Sequence, residues 1–185
     1  MWIKVVLISA LIVGATSFCG CSKSRDRICG PSGDEDLLIN SSFEIKGVPS
    51  WNGWSISHPS AVNFSEDTPP RGGSWSVTMG PGWIPVVVFI SETVAAPEGT
   101  HGYALSFWAK RLHVGGWVEF ILEQPDSSVV RKTTIISDST WTFYSLLDTL
   151  SANDGDSLTV KLTGGWSELA GGETFYDLLR LEKLD

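Results

Sequence analysis

The chain has 185 residues, with 13 Lys+Arg against 21 Asp+Glu for a net charge of -8, and only three cysteines. A balance this acidic offers no basic patch from which counterions could be released, which argues against DNA, RNA or anionic lipid as a partner. It suits neutral polymers or cations.

In chain order, Lys4 is the only charge ahead of an apolar stretch, residues 5–13, and small residues follow at Gly14, Ala15, Thr16 and Ser17. Residues 1–20 therefore read as a secretory signal whose apolar core is too short to span a bilayer comfortably. The stretch closes on Phe18-Cys19-Gly20-Cys21, which resembles the lipobox of bacterial lipoproteins, where the cysteine after a small residue is acylated and becomes the N-terminus. Gly20 makes Cys21 the better acceptor; Cys19, behind bulky Phe18, is second. The resemblance implies an extracytoplasmic protein held to a bacterial membrane by acyl chains, each buried methylene contributing about 0.8 kcal/mol. A soluble secreted chain with incidental cysteines is the alternative. Residues 21–36 are charged, contain Gly, Pro and Ser, and lack apolar period, so they read as a flexible tether. If Cys21 is acylated and Cys19 removed, Cys29 pairs between molecules or stays a free thiol. No cysteine follows it, so residues 37–185, a comfortable size for one domain, are held by their core without a disulfide.

Strand signals fill that domain and no stretch of a dozen residues keeps a helical stripe. Runs rich in Val, Ile, Thr, Phe, Tyr and Trp predict strands near residues 37–45, 54–56, 74–79, 86–94, 103–111, 117–124, 130–136, 141–148, 157–163 and 174–182. Between them fall turn clusters such as Pro69-Pro70-Arg71-Gly72-Gly73, Gly80-Pro81-Gly82, Asn153-Asp154-Gly155-Asp156 and Gly171-Gly172. Many short strands at this spacing predict an all-β, two-sheet antiparallel sandwich or a barrel. Alternation assigns faces. Leu105, Phe107 and Ala109 point inward, with Ser106, Trp108 and Lys110 outward. Val118, Phe120 and Leu122 point inward, with Trp117, Glu119 and Glu123 outward. Leu158, Val160 and Leu162 point inward, with Thr159, Lys161 and Thr163 outward.

An ordered set of motifs runs through the domain. Ile39-Asn40-Ser41-Ser42-Phe43-Glu44 opens it, followed by Gly53-Trp54, Gly73-Ser74-Trp75-Ser76-Val77, Ser91-Glu92-Thr93-Val94, Tyr103 to Lys110, Thr140-Trp141 and finally Phe175-Tyr176-Asp177. In this order and spacing they resemble the galactose-binding-like jelly rolls, above all the carbohydrate-binding modules attached to bacterial cellulases and xylanases. The chain departs from that pattern at Leu178, where a second Asp is usual, and at Glu92, where a Gln is usual.

The resemblance implies a two-sheet jelly roll and a structural calcium tying the first strand to the last. Its ligands would be the Glu44 and Asp177 side chains, the carbonyl of Ser42 and carbonyls around Arg71 and Ser74. Calcium takes about 6–8 hard oxygen ligands, which carboxylates and carbonyl-rich turns supply. A surface pairing of Glu44 with Lys46 or Arg180 is the plainer alternative. The resemblance also implies polysaccharide or surface-glycan binding, and eight of the nine tryptophans fall in the domain. Trp54 and Trp75 are expected to pack under the sheets, and Trp141 to plug an end. Trp51, Trp83 and Trp166 lie in Gly/Pro-rich loops, where a ring has little to pack against unless it faces a ligand. The expected glycan face consists of Trp108, Trp117, Glu92 and Glu119, with Trp83 and Trp166 at its rim; closure of the sandwich ends is the alternative role for any one ring. His58, His101 and His113 fall in separate contexts without metal-ligand spacing, and there is no Gly-x-Ser-x-Gly elbow, phosphate-cradling loop or cysteine in the domain. The expectation is non-catalytic binding. A protein-binding envelope component and a glycoside-active enzyme remain the rivals, because fold alone does not decide function.

Overall fold

In the computed structural model, residues 36–80, 86–165 and 172–184 are described. The signal segment, Cys19, Cys21, Cys29, Trp83 and Trp166 lie outside them.

The alternation of apolar and polar side chains builds strands wherever it is clean. β7 (Gly99–Leu112), β8 (Trp117–Gln124), β11 (Ser157–Thr163) and β12 (Glu173–Leu184) are the long central strands. Before them come β1 (Glu44–Ile45), β2 (Val48–Pro49), β3 (Ser55–Ile56), a single helical turn at Pro59–Ala61, β4 (Val62–Ser65), β5 (Ser76–Met79) and β6 (Phe89–Ala95). β9 (Ser127–Ile135) and β10 (Thr142–Ala152) complete the set. Apart from the β1-β2 hairpin, the strands form two antiparallel five-stranded sheets, ordered β10-β7-β12-β5-β4 and β3-β6-β11-β8-β9. The chain is an all-β sandwich, as the spacing of strand signals predicts.

Between the layers lie the inward positions read from the sequence. Leu105, Phe107, Ala109, Val118, Phe120, Leu122, Leu158, Val160 and Leu162 are all buried, together with Phe43, Tyr103, Tyr176 and Leu179. Each fully buried aliphatic or aromatic side chain contributes about 1.5–3 kcal/mol, so this contiguous cluster replaces the disulfides the domain lacks. Tyr176 keeps its hydroxyl satisfied there by donating to the Thr163 carbonyl at 2.7 Å.

The first predicted strand is corrected. Only Glu44–Ile45 of residues 37–45 is a strand; residues 36–43 run as an irregular strap along β12. Two backbone bonds hold the strap, Leu37 N–H to the Leu181 carbonyl and Leu179 N–H to the Ser41 carbonyl, both 2.8 Å. Side chains replace the remaining ladder partners. Asp36 Oδ1 accepts from the Leu38 and Leu181 N–H groups, both at 3.1 Å, so Asp36 is bonded into the fold. Phe43 then turns the chain with φ +56°, which ends any extended run. β4, absent from the sequence reading, follows its Pro-initiated turn and pairs with β5.

Two bulges matter. On β12 the register with β7 shifts between Asp177 and Arg180, and Leu178 sits there at φ +49°. The extra residue aims Leu179 N–H at the strap. On β9 the shift opposite Phe120 and Ile121 leaves Arg131 unpaired in the ladder. Its Nε reaches Asp148 on β10 at 3.0 Å, tying an edge of each sheet to the other.

Candidate functional site

Cross-strand partners point to the same face, so register gives the outer surface of the β3-β6-β11-β8-β9 sheet row by row. One row holds Phe89, Thr163, Trp117 and Ile135. The next holds Ser91, Lys161, Glu119 and Thr133, and the third Thr93, Thr159, Ile121 and Val130. Phe89 and Trp117 are two strands apart, about 10 Å, with Thr163 between them. Thr93 and Thr159 bond each other through their hydroxyls at 2.8 Å. Lys161 Nζ stands 2.9 Å from Glu119 Oε2.

Two buried polar atoms on this face accept no hydrogen bond among the described residues, though one of them is ion-paired. Thr163 Oγ1 is buried and unbonded, and Glu119 Oε2, though close to Lys161, receives no aligned hydrogen bond. Buried polar groups are nearly always satisfied, so each orphan calls for an explanation. Rings beside polar side chains on a sheet face can bind a molecule with apolar faces and hydroxyl rims.

The predicted face does not assemble as one. Trp117 and Glu119 share it, but Trp108 belongs to β7 in the other sheet, beside Phe143 at 5.7 Å. Its outward alternation was read correctly; which layer it decorates depends on strand order, which alternation does not encode. Glu92 is also displaced. It sits on β6 in phase with core residue Ile90 and is 1% exposed. Its Oε1 accepts the Ile39 N–H at 2.5 Å, Oε2 has no hydrogen-bond partner among the described residues, and Gly53 packs so closely that a Cβ there would lie 3.1 Å from the carboxylate. Burial raises its pKa against the Ile39 and Asn40 N–H groups, and nearby Asp36 adds to the rise. Glu92 anchors the strap. Trp51 is no ligand platform either: it stacks on Phe64 at 4.0 Å, under the same strap. Trp54 packs as expected, 7% exposed, with Nε1 donating to the Asn40 carbonyl at 2.8 Å. Trp75 is only half-buried. Trp141 does not plug an end. Its Nε1 donates to Asp67 at 3.0 Å while Lys110, ion-paired with Asp67, lies 5.2 Å from its ring centroid and 4.7 Å from that of Phe175. His58 and His113 are exposed and His101 is half-buried.

Sequence reasoning missed Phe89, Lys161 and Thr163 as members of the face. Their signal was the outward phase of β11 and β6, visible only once β11 is known to lie between β6 and β8.

Glu44 and Asp177 do meet, at the Gly72-Gly73 turn. Asp177 is fully buried; Oδ1 accepts the Leu178 N–H at 2.7 Å and Oδ2 has no partner among the described residues. Desolvation first, and the Glu44 charge beside it, push its pKa up to about 8, against the Leu178 bond. Glu44 Oε2 accepts the Ser74 N–H at 3.0 Å. A Cβ on Gly73 would fall 1.6 Å from Glu44 Oε1, and one on Gly72 2.9 Å from Asp177 Oδ2, so only glycines let the turn approach both carboxylates. Among the described residues no group of three or more His, Cys, Asp or Glu converges; this site pairs two carboxylates with backbone. An unpartnered carboxylate oxygen beside a like charge fits a hard cation.

No family model matches the chain, and no curated protein sequence matches it. Solved structures do. The enzymatically active domain of tailspike protein 4 from bacteriophage CBA120 superposes with TM-score 0.60 at 18% identity, over 80% of this chain and 21% of that one. TmCBM61 in complex with beta-1,4-galactotriose gives 0.56 at 19% identity, over 82% and 100%. The CBM22-1 xylan-binding domain of Paenibacillus barcinonensis Xyn10C gives 0.54 at 16%, over 83% and 97%. The fold is the jelly roll of carbohydrate-binding modules. The chain thus spans whole modules of that kind but about a fifth of the tailspike chain.

Proposed function

We propose that this protein binds a polysaccharide or surface glycan without cleaving it, through the outer face of the β3-β6-β11-β8-β9 sheet. The observation that carries the reading is the row Phe89–Thr163–Trp117 beside Lys161 and Glu119. Ring faces match the C–H faces of sugars, and the Lys161 and Glu119 side chains, which keep some solvent access, match their hydroxyls. Structural neighbours that are themselves carbohydrate-binding modules support it. A calcium ion held by Glu44 and Asp177, with carbonyls of Ser42, Arg71 and Ser74, would staple the strap's end to β12 and neutralise the paired carboxylates. Acylation at Cys21 would hold the domain at a bacterial membrane, outside the cytoplasm.

Binding of the full chain to immobilised plant and bacterial polysaccharides, read by affinity electrophoresis, tests this. Retardation by at least one polysaccharide that Trp117→Ala weakens about tenfold or more, near 1.4 kcal/mol, is expected, with Trp108→Ala close to wild type. Absence of any glycan-dependent shift, or loss on Trp108→Ala alone, overturns it. A second reading, a protein partner on the same face, is favoured by one observation: Ile135 beside Trp117 is 72% exposed and Val130 beside Ile121 is 50% exposed, and capture of a protein without any glycan shift would support it.

A further inference from the structure

An ion pair occupies the middle of the outer face. Glu119 and Lys161 are register partners on β8 and β11, with Ser91 beyond one and Thr133 beyond the other. Lys161 Nζ lies 2.9 Å from Glu119 Oε2 and 4.9 Å from the centroid of the Phe89 ring. Both side chains keep some solvent access, 28% for Lys161 and 17% for Glu119. A charged pair is not needed to close the sheet, since the next row closes with the neutral Thr93–Thr159 bond instead. Folding therefore gives no reason for charges at this place.

Resting on the glycan reading above, we propose that Lys161 and Glu119 determine its specificity: together they read two adjacent hydroxyls of a neutral sugar and exclude chains that bear uronates. A lysine ammonium only donates hydrogen bonds and an ionised carboxylate only accepts them. Their spacing is close to that of neighbouring hydroxyl oxygens on a pyranose ring. One hydroxyl accepts from Lys161 while the next donates to the Glu119 carboxylate, whose Oε2 already faces Lys161, and bonds to charged groups are the strong ones. Phe89 and Trp117 lie one row away, so a sugar stacked there presents its edge to the pair. A uronate's carboxylate has no proton to give Glu119 and reaches Lys161 only by coming beside a like charge. Lys161 is moreover already compensated, by Glu119 on one side and by the negative face of the Phe89 ring on the other. The chain's net charge of -8 opposes a polyanion from further away, more weakly as salt rises.

Calorimetric titration of the full chain with neutral xylo-, cello- and galacto-oligosaccharides and with oligogalacturonate of matched length tests the assignment. Wild type should bind at least one neutral ligand about tenfold or more tighter than oligogalacturonate. Glu119→Gln, which frees the lysine charge, should narrow that gap about tenfold by gaining uronate affinity and losing neutral affinity. Lys161→Met should lose neutral affinity and gain nothing for uronate, which keeps the test decisive should Glu119→Gln not fold. Equal wild-type affinities for the two classes, or an unchanged ratio in Glu119→Gln with neutral binding retained, overturns the pair's role and leaves glycan binding standing. Binding of no oligosaccharide at all overturns the glycan reading and this inference with it.

Discussion

Glu92 is the residue at which physical chemistry and motif part company. In the modules the chain resembles a glutamine is usual there, and a charged group on a strand looks like a surface feature. Yet its phase on β6 is that of Ile90, and the residue is 1% exposed with one carboxylate oxygen unpartnered among the described residues. Glutamine keeps an acceptor for the Ile39 N–H and removes the buried charge. Glu92→Gln is therefore expected to stabilise at neutral pH by about 1 kcal/mol, a rise of about 3–4 °C in Tm, measured by calorimetry. The sign of the pH dependence follows from direction. Burial raises both Glu92 and Asp36 above their ordinary values of 4.5 and 3.8. Their contribution to stability is fully present below those values and is lost as pH rises through the raised folded ones. Wild-type Tm should fall over that window more steeply than that of Glu92→Gln; parallel curves would contradict the buried carboxylate. Trp117 was legible as an outward residue because alternation fixes its phase. Trp108 has the same phase signal, and the error came from what periodicity omits, namely the order of strands across two layers.

At the scale of elements, the turn at Gly72-Gly73 shows how sequence punctuation becomes geometry. Any Pro/Gly cluster predicts a turn; that this one must be glycine follows only from the carboxylates it meets. Gly73→Ala places a Cβ 1.6 Å from Glu44 Oε1. The contact is with the end of a side chain, so the turn should survive and the Glu44 carboxylate should move off the Ser74 N–H. The expected result is a folded domain destabilised by about 1 kcal/mol, with any calcium-dependent rise in Tm lost, checked by thermal unfolding with and without the ion. An unchanged calcium response would place Glu44 outside the site. The long strands were readable to within a few residues because inward apolar positions alternate along β7 and recur every second residue in β8 and β11, while the bulge in β12 breaks the period without ending the strand. The strap was not, since Asp36 and Glu92 side chains stand in for ladder partners and Phe43 adopts φ +56°, neither of which hydrophobic periodicity reports. β4 was missed for a related reason: Val62–Ser65 is four residues long, too short to establish a period beside a proline turn.

For the molecule as a whole, the strap and β12 meet at one electrostatically strained point. Glu44 and Asp177 come from the first and last strands, are pressed together by the Gly72-Gly73 turn, and leave a buried oxygen with no partner among the described residues. Two like charges at a buried junction oppose folding unless a proton or a cation intervenes. A ligand that binds only the folded state stabilises by about 2.7 kcal/mol at a concentration a hundred times its Kd, which for this chain length corresponds to a Tm shift of roughly 5–10 °C. Millimolar calcium should therefore raise Tm and a chelator should lower it, while magnesium, which demands a tighter octahedral shell, should do less. Asp177→Asn separates the ion from mere packing. It removes the buried charge, so without calcium the variant should unfold at or above the wild-type temperature, yet calcium should no longer raise it. A wild type indifferent to calcium, or an Asp177→Asn variant that still responds, would mean that the junction closes by protonation of Asp177 and that no ion joins the two ends of the domain.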